Sequence, residues 1–518
     1  MSEAAPSKPP QVVAVIDLGS SAIRMTVAEV SSRGDIRPLE SVIKPVTLGK
    51  DVFSNRRISR AAALETIQIL QSFQQIMKQY QVSHCRAVGT SAFREAYDPE
   101  TLLDRIYMRT GIEVEVIETI EENRLVYAAV RRAIGDVLAG EDTFFIEVGS
   151  GNTDITLQRK GQVTLAHSLR SGSLRLLQER GAGTPGRDVE IRAMRDRVES
   201  AAESLLRESP IGHVANFVAM GSEARRTAQY AGEKKERYAV LTVKQFRSFL
   251  REVEKTPEDQ IPEKFGIPYP DAETLTPALL IYEKFIDITT PNRILAPMVS
   301  LRDGLLLDIA MMLSDKEDSD FSRQVVANAE LLGQRCHYDE DHAKCVTELS
   351  LKLFDLMQPE HGLGRRERVL LEVAGILHDI GTFLSVNSHH KHGQYIAANS
   401  EIFGLRKSDM AIVGNVIRYH RRNLPGMQHP EYAALSRAER VTVSKLAALL
   451  RVADALDRGH RQMARRAKFR REGDQLTITL PGQMDISLER AGMPEKASLF
   501  ENIFGMTVAV RGGVSHGS

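Results

Sequence analysis

The chain has 518 residues, 42% of them hydrophobic and 26% charged, the balance of a globular protein with several cores rather than one. Lys plus Arg equals Asp plus Glu at 68 each, so no overall charge directs it to nucleic acid or membrane, and any anion site must come from local clusters. Cys85, Cys336 and Cys345 offer neither zinc-type spacing nor an even disulfide set, which suits a reducing, cytoplasmic setting. No apolar run reaches the ~18 residues of a membrane span. The opening "MSEAAPSKPP" lacks the apolar stretch of a signal peptide.

From residue 11 the chain reads as mixed α/β. "VVAVIDLG" and "IRMTVAEV" predict a hairpin, "SRAAALETIQILQSFQQIMKQY" a helix capped by Ser59, and "HCRAVGTSAFREA" a strand, turn and helix start. "IEVEVIET" predicts a strand and "EENRLVYAAVRRAI" a helix. From about 140 a second hairpin opens, followed by long helices and the strand "HVANFVAMGS". A polar linker is expected at "SDKEDSD", 314–320. Helices then dominate to about 465, in "DEDHAKCVTELSLKLFDLM", "RRERVLLEVAGILHDIG", "KSDMAIVGNVIRYH" and "RVTVSKLAALLRVADALD". "QLTITL", "DISLER" and "MTVAV" predict short closing strands around one helix.

The two hairpins carry the chemistry. "AVIDLGSSAIRMTVA" and "FFIEVGSGNTDITLQ" align with Asp17 on Glu147, Gly19 on Gly149, Ser20 on Ser150 and Thr26 on Thr156, at an offset of 130 residues. A Gly/Ser turn between strands can aim several amides at one oxyanion, because glycine permits positive φ and a close approach. One such turn usually only reverses the chain. A pair at matching points of two half-domains can close on a phosphate chain from both sides.

At these residues the chain resembles the actin-like phosphotransferases, and more closely the exopolyphosphatase/guanosine pentaphosphate phosphohydrolase family. "AVIDLGSSAIRM", "AVGTSAFREA", "EVIETIEENRLVY", "FFIEVGSGNTDIT" and "SLRDGLLLD" match that family's stretches in order over the first 310 residues. The resemblance implies a duplicated actin-like (ribonuclease H-like) α/β module, with subdomain I at 11–130 and subdomain II at 131–313. It implies Glu121 as catalytic base, Asp17 and Glu147 as acids organising Mg²⁺, and Arg94 as phosphate clamp. Ser20, Ser21, Gly149, Ser150, Gly151, Asn152 and Thr153 would hold substrate. The chain departs from the family pattern at Glu147, at Glu118-Thr119, at Ser20-Ser21-Ala22 and at Ser222-Glu223-Ala224. Glu223 is expected to put a negative charge at the anion site.

In the helical half, His378-Asp379 in "GILHDIG", with His342 before and Asp454 after, resembles the metal-dependent HD phosphohydrolases. Imidazole and carboxylate ligands suit Mn²⁺ or another transition metal. "NSHHKHGQYIAANSEIFGL" and "IRYHRR" resemble the third domain of long exopolyphosphatases, and supply His390, His392 and His420 as second-metal or phosphate contacts. The implied division is an all-α HD-type domain at 318–470 and a small α/β domain at 471–518. Arg365, Arg366, Arg368, Arg418, Arg421, Arg422 and the seven Lys/Arg from Arg458 to Arg471 predict a groove for a polyanion. Few aromatics and no Trp argue against single-stranded nucleic acid.

The reading is an exopolyphosphatase-like phosphohydrolase, a Mg²⁺-dependent homodimer acting on polyphosphate or guanosine pentaphosphate. One rival moves the chemistry to the HD site, with a nucleotide-binding actin-like half. The other is a non-catalytic sensor of guanosine tetraphosphate or polyphosphate.

Overall fold

Two sheets repeat one strand order. The first runs β3-β2-β1-β4-β5, from β1 (Gln11–Leu18), β2 (Ala22–Val30), β3 (Ile36–Pro45), β4 (His84–Gly89) and β5 (Val114–Val116). The second has β6 (Thr143–Val148), β7 (Thr153–Arg159), β8 (Gln162–Leu169), β9 (Asn216–Met220), β10 (Glu233–Lys234), β11 (Tyr238–Leu241) and β12 (Arg293–Pro297), in the order β10-β11-β12-β9-β6-β7-β8. In each, three antiparallel strands meet a parallel neighbour of the central strand. The repeat extends to register. Asp17 faces Arg24 and Glu147 faces Asp154, while Ile16 faces Met25 and Ile146 faces Ile155. β1 and β6 are largely apolar because layers cover both faces of the sheet. The structure, a computed structural model, describes residues 9–138, 140–178, 186–267, 269–313, 319–480 and 486–512. The opening tail through residue 8 and residues 314–318 of the linker expected at 314–320 lie outside these residues, and Ser319 opens a helix.

Helix Arg60–Gln79 is capped as expected, Ser59 Oγ accepting from Ala62 N at 3.2 Å. It buries Ala63, Ile67, Leu70 and Phe73 against the first sheet's core. Two helices join the sheets. Helix Thr119–Leu138 packs beside β7, β8 and β12, and helix Leu301–Leu313 returns to β1, β2 and β3. They cross at Gly304, where a Cβ would lie 2.2 Å from Leu125 O. A linear division at 130 therefore falls inside one helix, and the last helix of the second stretch packs on the first sheet.

The chain forms two compact units, 1–318 and 319–518. The second is helical, with its core in helices Glu340–Leu356, Arg365–Leu377, Lys407–Tyr419 and Arg437–Leu456. Strands β13 (Lys468–Glu472), β14 (Gln475–Leu480) and β15 (Thr507–Gly512) form a small sheet beside helix Ser487–Phe504. Leu476, Ile478, Met493 and Phe500 belong to the same core as the bundle, so the closing segment is a layer on it rather than a separate core. A boundary at 470 cuts β13. "DISLER" is not a strand where it is described. From Ser487 it opens a helix, because Gly492, Met493, Ala497 and Phe500 are buried at helical spacing. Among the described residues no helix is long and apolar enough to cross a membrane.

Candidate functional site

Both hairpin turns close the same way. Gly19 N donates to Ala22 O at 3.1 Å, and Gly149 N donates to Asn152 O at 2.9 Å. Neighbouring segments take the turn carbonyls. Gly49 N and Val46 N reach Ser20 O and Ser21 O; Ser173 N, Leu174 N and Gly172 N reach Gly149 O, Ser150 O and Gly151 O. The amides of Ser20, Ser21, Ser150, Gly151 and Asn152 have no backbone partner among the described residues. The turns meet, with Ser150 Oγ donating to Ser21 Oγ at 3.4 Å. The hydroxyls of Ser20 and Ser91 are 2.8 Å apart. Gly19, Gly149 and Gly151 do not take the positive φ expected of them; they supply room. A Cβ on Gly151 would lie 2.6 Å from Phe53 Cζ, and one on Gly172 would lie 2.4 Å from Gly151 C.

Carboxylates gather at these turns. Asp17 and Glu147 end β1 and β6, and Asp154 faces Glu147 across the hairpin. Burial pushes Glu147 up to about 8, and the charges of Glu122, Asp154 and Asp17 push it the same way. Burial also raises Asp17, which Arg24 opposes, and raises Asp154 with the help of Glu122. Arg24 Nη1 is 3.7 Å from Asp17 Oδ2. Among the described residues the buried Oδ1 of Asn152 has no hydrogen-bond partner, and Ser168 is the hydroxyl beside Asp154. A pocket of carboxylates beside an unmet oxygen is fitted to a hard divalent cation.

Three of the expected residues are engaged in contacts of their own. Glu121 is 3% exposed. It accepts from Arg124 Nε and Nη2 at 2.8 and 2.9 Å, in a network with Arg86 and Asp308. The carboxylate that shares the field of Asp17, Glu147 and Asp154 is its neighbour Glu122, held by Arg94 Nη1 at 2.8 Å. Arg94 also donates to Ile117 O at 2.8 Å. Thr153 is fully buried and spends its hydroxyl on Ser171 O, so it positions the turn rather than lining it. Glu223 is buried and accepts from the hydroxyls of Ser222 and Thr274 at 2.8 and 2.7 Å, so its carboxylate is held by its own neighbours, and burial raises its pKa. Sequence reading missed Glu122, Asp154 and Arg24; the offset that pairs Glu147 with Asp17 also pairs Asp154 with Arg24, a signal for two of them.

In the helical unit, His342 lies in the first turn of Glu340–Leu356, His378-Asp379 at the end of Arg365–Leu377, and Asp454 in the last turn of Arg437–Leu456. The structure brings all four together. His342 and His378 approach through Nε2 at 3.2 Å, and Asp454 Oδ1 lies 3.7 and 3.9 Å from them. Burial lowers the His342 pKa, but bonds to Asp454 and Asp457 outweigh it and raise it to about 9. Lys496 ion-pairs with Asp454. Of the three further histidines, only His420 joins, 3.6 Å from Asp379 Oδ1. Its companion is His389, at 3.2 Å, rather than His390 or His392. His390 is buried next to it, its pKa pushed down to about 4 by burial and neighbouring positive charge. Much of the expected basic groove is neutralised locally: Arg366, Arg368, Arg470 and Arg471 pair with Asp409, Asp355, Glu472 and Glu360.

Residues 26–313 match the Ppx/GppA phosphatase family, and residues 325–490 match Ppx/GppA phosphatase, domain III. A guanosine-5'-triphosphate,3'-diphosphate pyrophosphatase of Photobacterium profundum is 23% identical over 441 residues, 84% of each chain. An Aquifex aeolicus Ppx/GppA family member superimposes with a TM-score of 0.50 at 23% identity, covering 59% of this chain and 99% of that one. An exopolyphosphatase from Cytophaga hutchinsonii does so with a TM-score of 0.53 at 20% identity, over 59% and 99%. The fold of the first unit is of the actin-like ATPase type.

Proposed function

The chain belongs to the Ppx/GppA phosphatase family, and on that footing we propose that this phosphohydrolase releases terminal phosphate from inorganic polyphosphate, guanosine pentaphosphate or both. The reading is supported most by one observation, the convergence of Glu122 with Asp17, Glu147 and Asp154 at the duplicated turns. Asp17 and Glu147 would hold Mg²⁺, which would neutralise phosphate charge at the turns. The amides of Ser20, Ser21, Ser150, Gly151 and Asn152 hold phosphate oxygens. Arg94 grips the terminal phosphate once it leaves Glu122, and a guanidinium can take two oxygens at once. Glu122 then orients the attacking water and accepts its proton as the phosphoanhydride bond breaks. Glu121 positions this helix through Arg124.

The test is phosphate release from both substrates by the Glu122→Gln protein. Turnover is expected to fall ~10²–10⁴-fold while substrate binding survives. Near-normal release would remove Glu122 from the mechanism, and no release by the unaltered protein would favour a sensor.

The finer readings form part of the same proposal: two actin-like subdomains in the first unit, an HD-type helical domain in the second, a homodimer and a cytoplasmic setting. His342, His378, Asp379 and Asp454 would bind one transition ion such as Mn²⁺, which a set of two imidazoles and two carboxylates suits. His378→Ala should then lower the metal content of purified protein.

A further inference from the structure

We infer that Arg175 and Glu95 form a positioning pair for the reaction proposed above, coupling the second phosphate turn to the helix that carries Arg94. The inference rests on that phosphohydrolase reading and deepens it with two residues outside the acids and the turn amides.

A peptide amide is aimed by whatever holds the carbonyl of the same peptide, because the two groups point in opposite directions across a planar unit. Along the second turn most carbonyls are held by main-chain donors. Ser173 N takes Gly149 O, and Leu174 N and Arg175 N both take Ser150 O. Those bonds turn the amides of Ser150 and Gly151 to the side away from the donors. The last carbonyl differs. Gly151 O accepts from Gly172 N at 3.0 Å and from a side chain, Arg175 Nε, at 2.9 Å. The amide aimed by this pair of bonds is that of Asn152. In the first turn the matching carbonyl, Ser21 O, accepts from Val46 N at 3.0 Å. The repeat does not carry the arginine, since at the offset of 130 residues position 175 falls on Pro45.

The rest of the Arg175 side chain reaches residues of the first-sheet half. Its guanidinium lies 4.5 Å from the centre of the Phe53 ring, in helix Leu48–Asn55, and its Nη2 ion-pairs with Glu95. Phe53 also fills the space beside Gly151, so ring, glycine and guanidinium form one packed contact. Glu95 ends the short helix Ser91–Glu95, one residue after Arg94. The side chains of Arg175 and Glu95 are 12% and 17% exposed, and a planar guanidinium fixes direction as well as distance. Arg170 Nη2 also meets Glu95, at 3.0 Å, but is 64% exposed, an ordinary surface partner. The short helix is thus tied to the first turn by Ser91 Oγ, 2.8 Å from Ser20 Oγ, and to the second by Glu95. When phosphate draws Arg94 off Glu122, both ties remain. The clamp on the terminal phosphate and the Asn152 amide on the chain behind it keep a fixed separation, and the bond to be broken stays in reach of the water that Glu122 orients.

The test measures kcat and KM for phosphate release from polyphosphate and guanosine pentaphosphate by the full chain, with a melting curve for each variant. Arg175→Lys keeps a charge beside Glu95 but replaces the fork by a single point of donation. Its kcat is expected to fall ~10–100-fold, with KM and melting temperature little changed. Glu95→Gln, the gentler variant, should slow kcat less, and the double variant should be no slower than Arg175→Lys alone. Arg170→Gln should turn over like the unaltered protein. Additive losses in the double variant, melting losses that track turnover, or an Arg170→Gln protein as slow as Arg175→Lys would overturn the coupling and leave a structural salt bridge. A raised KM with unchanged kcat would also overturn it, since the pair would then only help substrate bind. No release by the unaltered protein from either substrate would bring down the phosphohydrolase reading and this inference together. Release by the unaltered protein with a normal kcat in both variants would overturn this inference alone.

Discussion

The turns of the first unit and the histidine cluster of the second both concentrate groups that call for a cation, but they are built differently. The turns are main-chain devices. Their amides and carbonyls are set by two hairpins in one register, and the acids are attached at fixed strand positions. The histidine cluster is a side-chain device gathered from five separated segments, each ring oriented by a hydrogen bond behind it. The turn acids repel one another and burial raises the pKa of each, whereas the rings are already aimed. Backbone sites are thus copied by duplication, and side-chain sites are assembled residue by residue.

The largest effect tests whether Glu122 alone faces the turns. Glu122→Gln should abolish phosphate release without changing thermal stability. Glu121→Gln should do the reverse in part, costing about 3 kcal/mol because Arg124 is left buried and undercompensated. Thermal melts and turnover of the two variants side by side check this, and equal behaviour would erase the distinction.

Proton demand offers a second contrast. Glu147 is held up to about 8 in the fold, so its contribution to stability is complete below pH ~4.5 and is lost as pH rises through about 8. The metal-free protein should therefore melt several degrees lower at pH 9 than at pH 6, with Mg²⁺ restoring much of the loss. Glu147→Gln should flatten the profile, and an unchanged slope would count against the acid cluster.

Gly172→Ala probes the backbone device directly. Its Cβ would press on Gly151 and Ser150, so a loss of about 1–3 kcal/mol and slower phosphate release are expected. Metal binding by the histidines should be untouched. The smallest effect is a control outside both clusters. His361 accepts from Leu363 N through Nδ1 at 2.9 Å and meets Phe354 O through Nε2 at 2.8 Å, which requires the neutral ring. Burial lowers its pKa, so its stabilisation is present above pH ~6.5 and is lost as pH falls. His361→Gln should reduce the acid sensitivity by about 1 kcal/mol, as a pH series of melts would register.

The turns were legible because duplication writes itself into sequence: an offset of 130 residues carries Asp17 to Glu147 and Gly19 to Gly149. Choosing between Glu121 and Glu122 was not legible. The two lie one residue apart on a helix, about 100° around its axis, and the choice turns on Asp308, which binds Arg124 from 184 positions away. The same ambiguity hid His389 beside His390. Carbonyls at the i−3 position orient the rings of His378, His389 and His420, and no residue type reports a carbonyl's direction.

The crossing at Gly304 has a mechanical meaning. Helices Thr119–Leu138 and Leu301–Leu313 each belong mainly to a different sheet, and they touch so closely there that no side chain fits between them. The Arg86–Glu121–Arg124–Asp308 clasp ties the same two helices together a turn or so away. A side chain at position 304 would wedge the helices apart and, with them, the two sheets that carry the glycine turns.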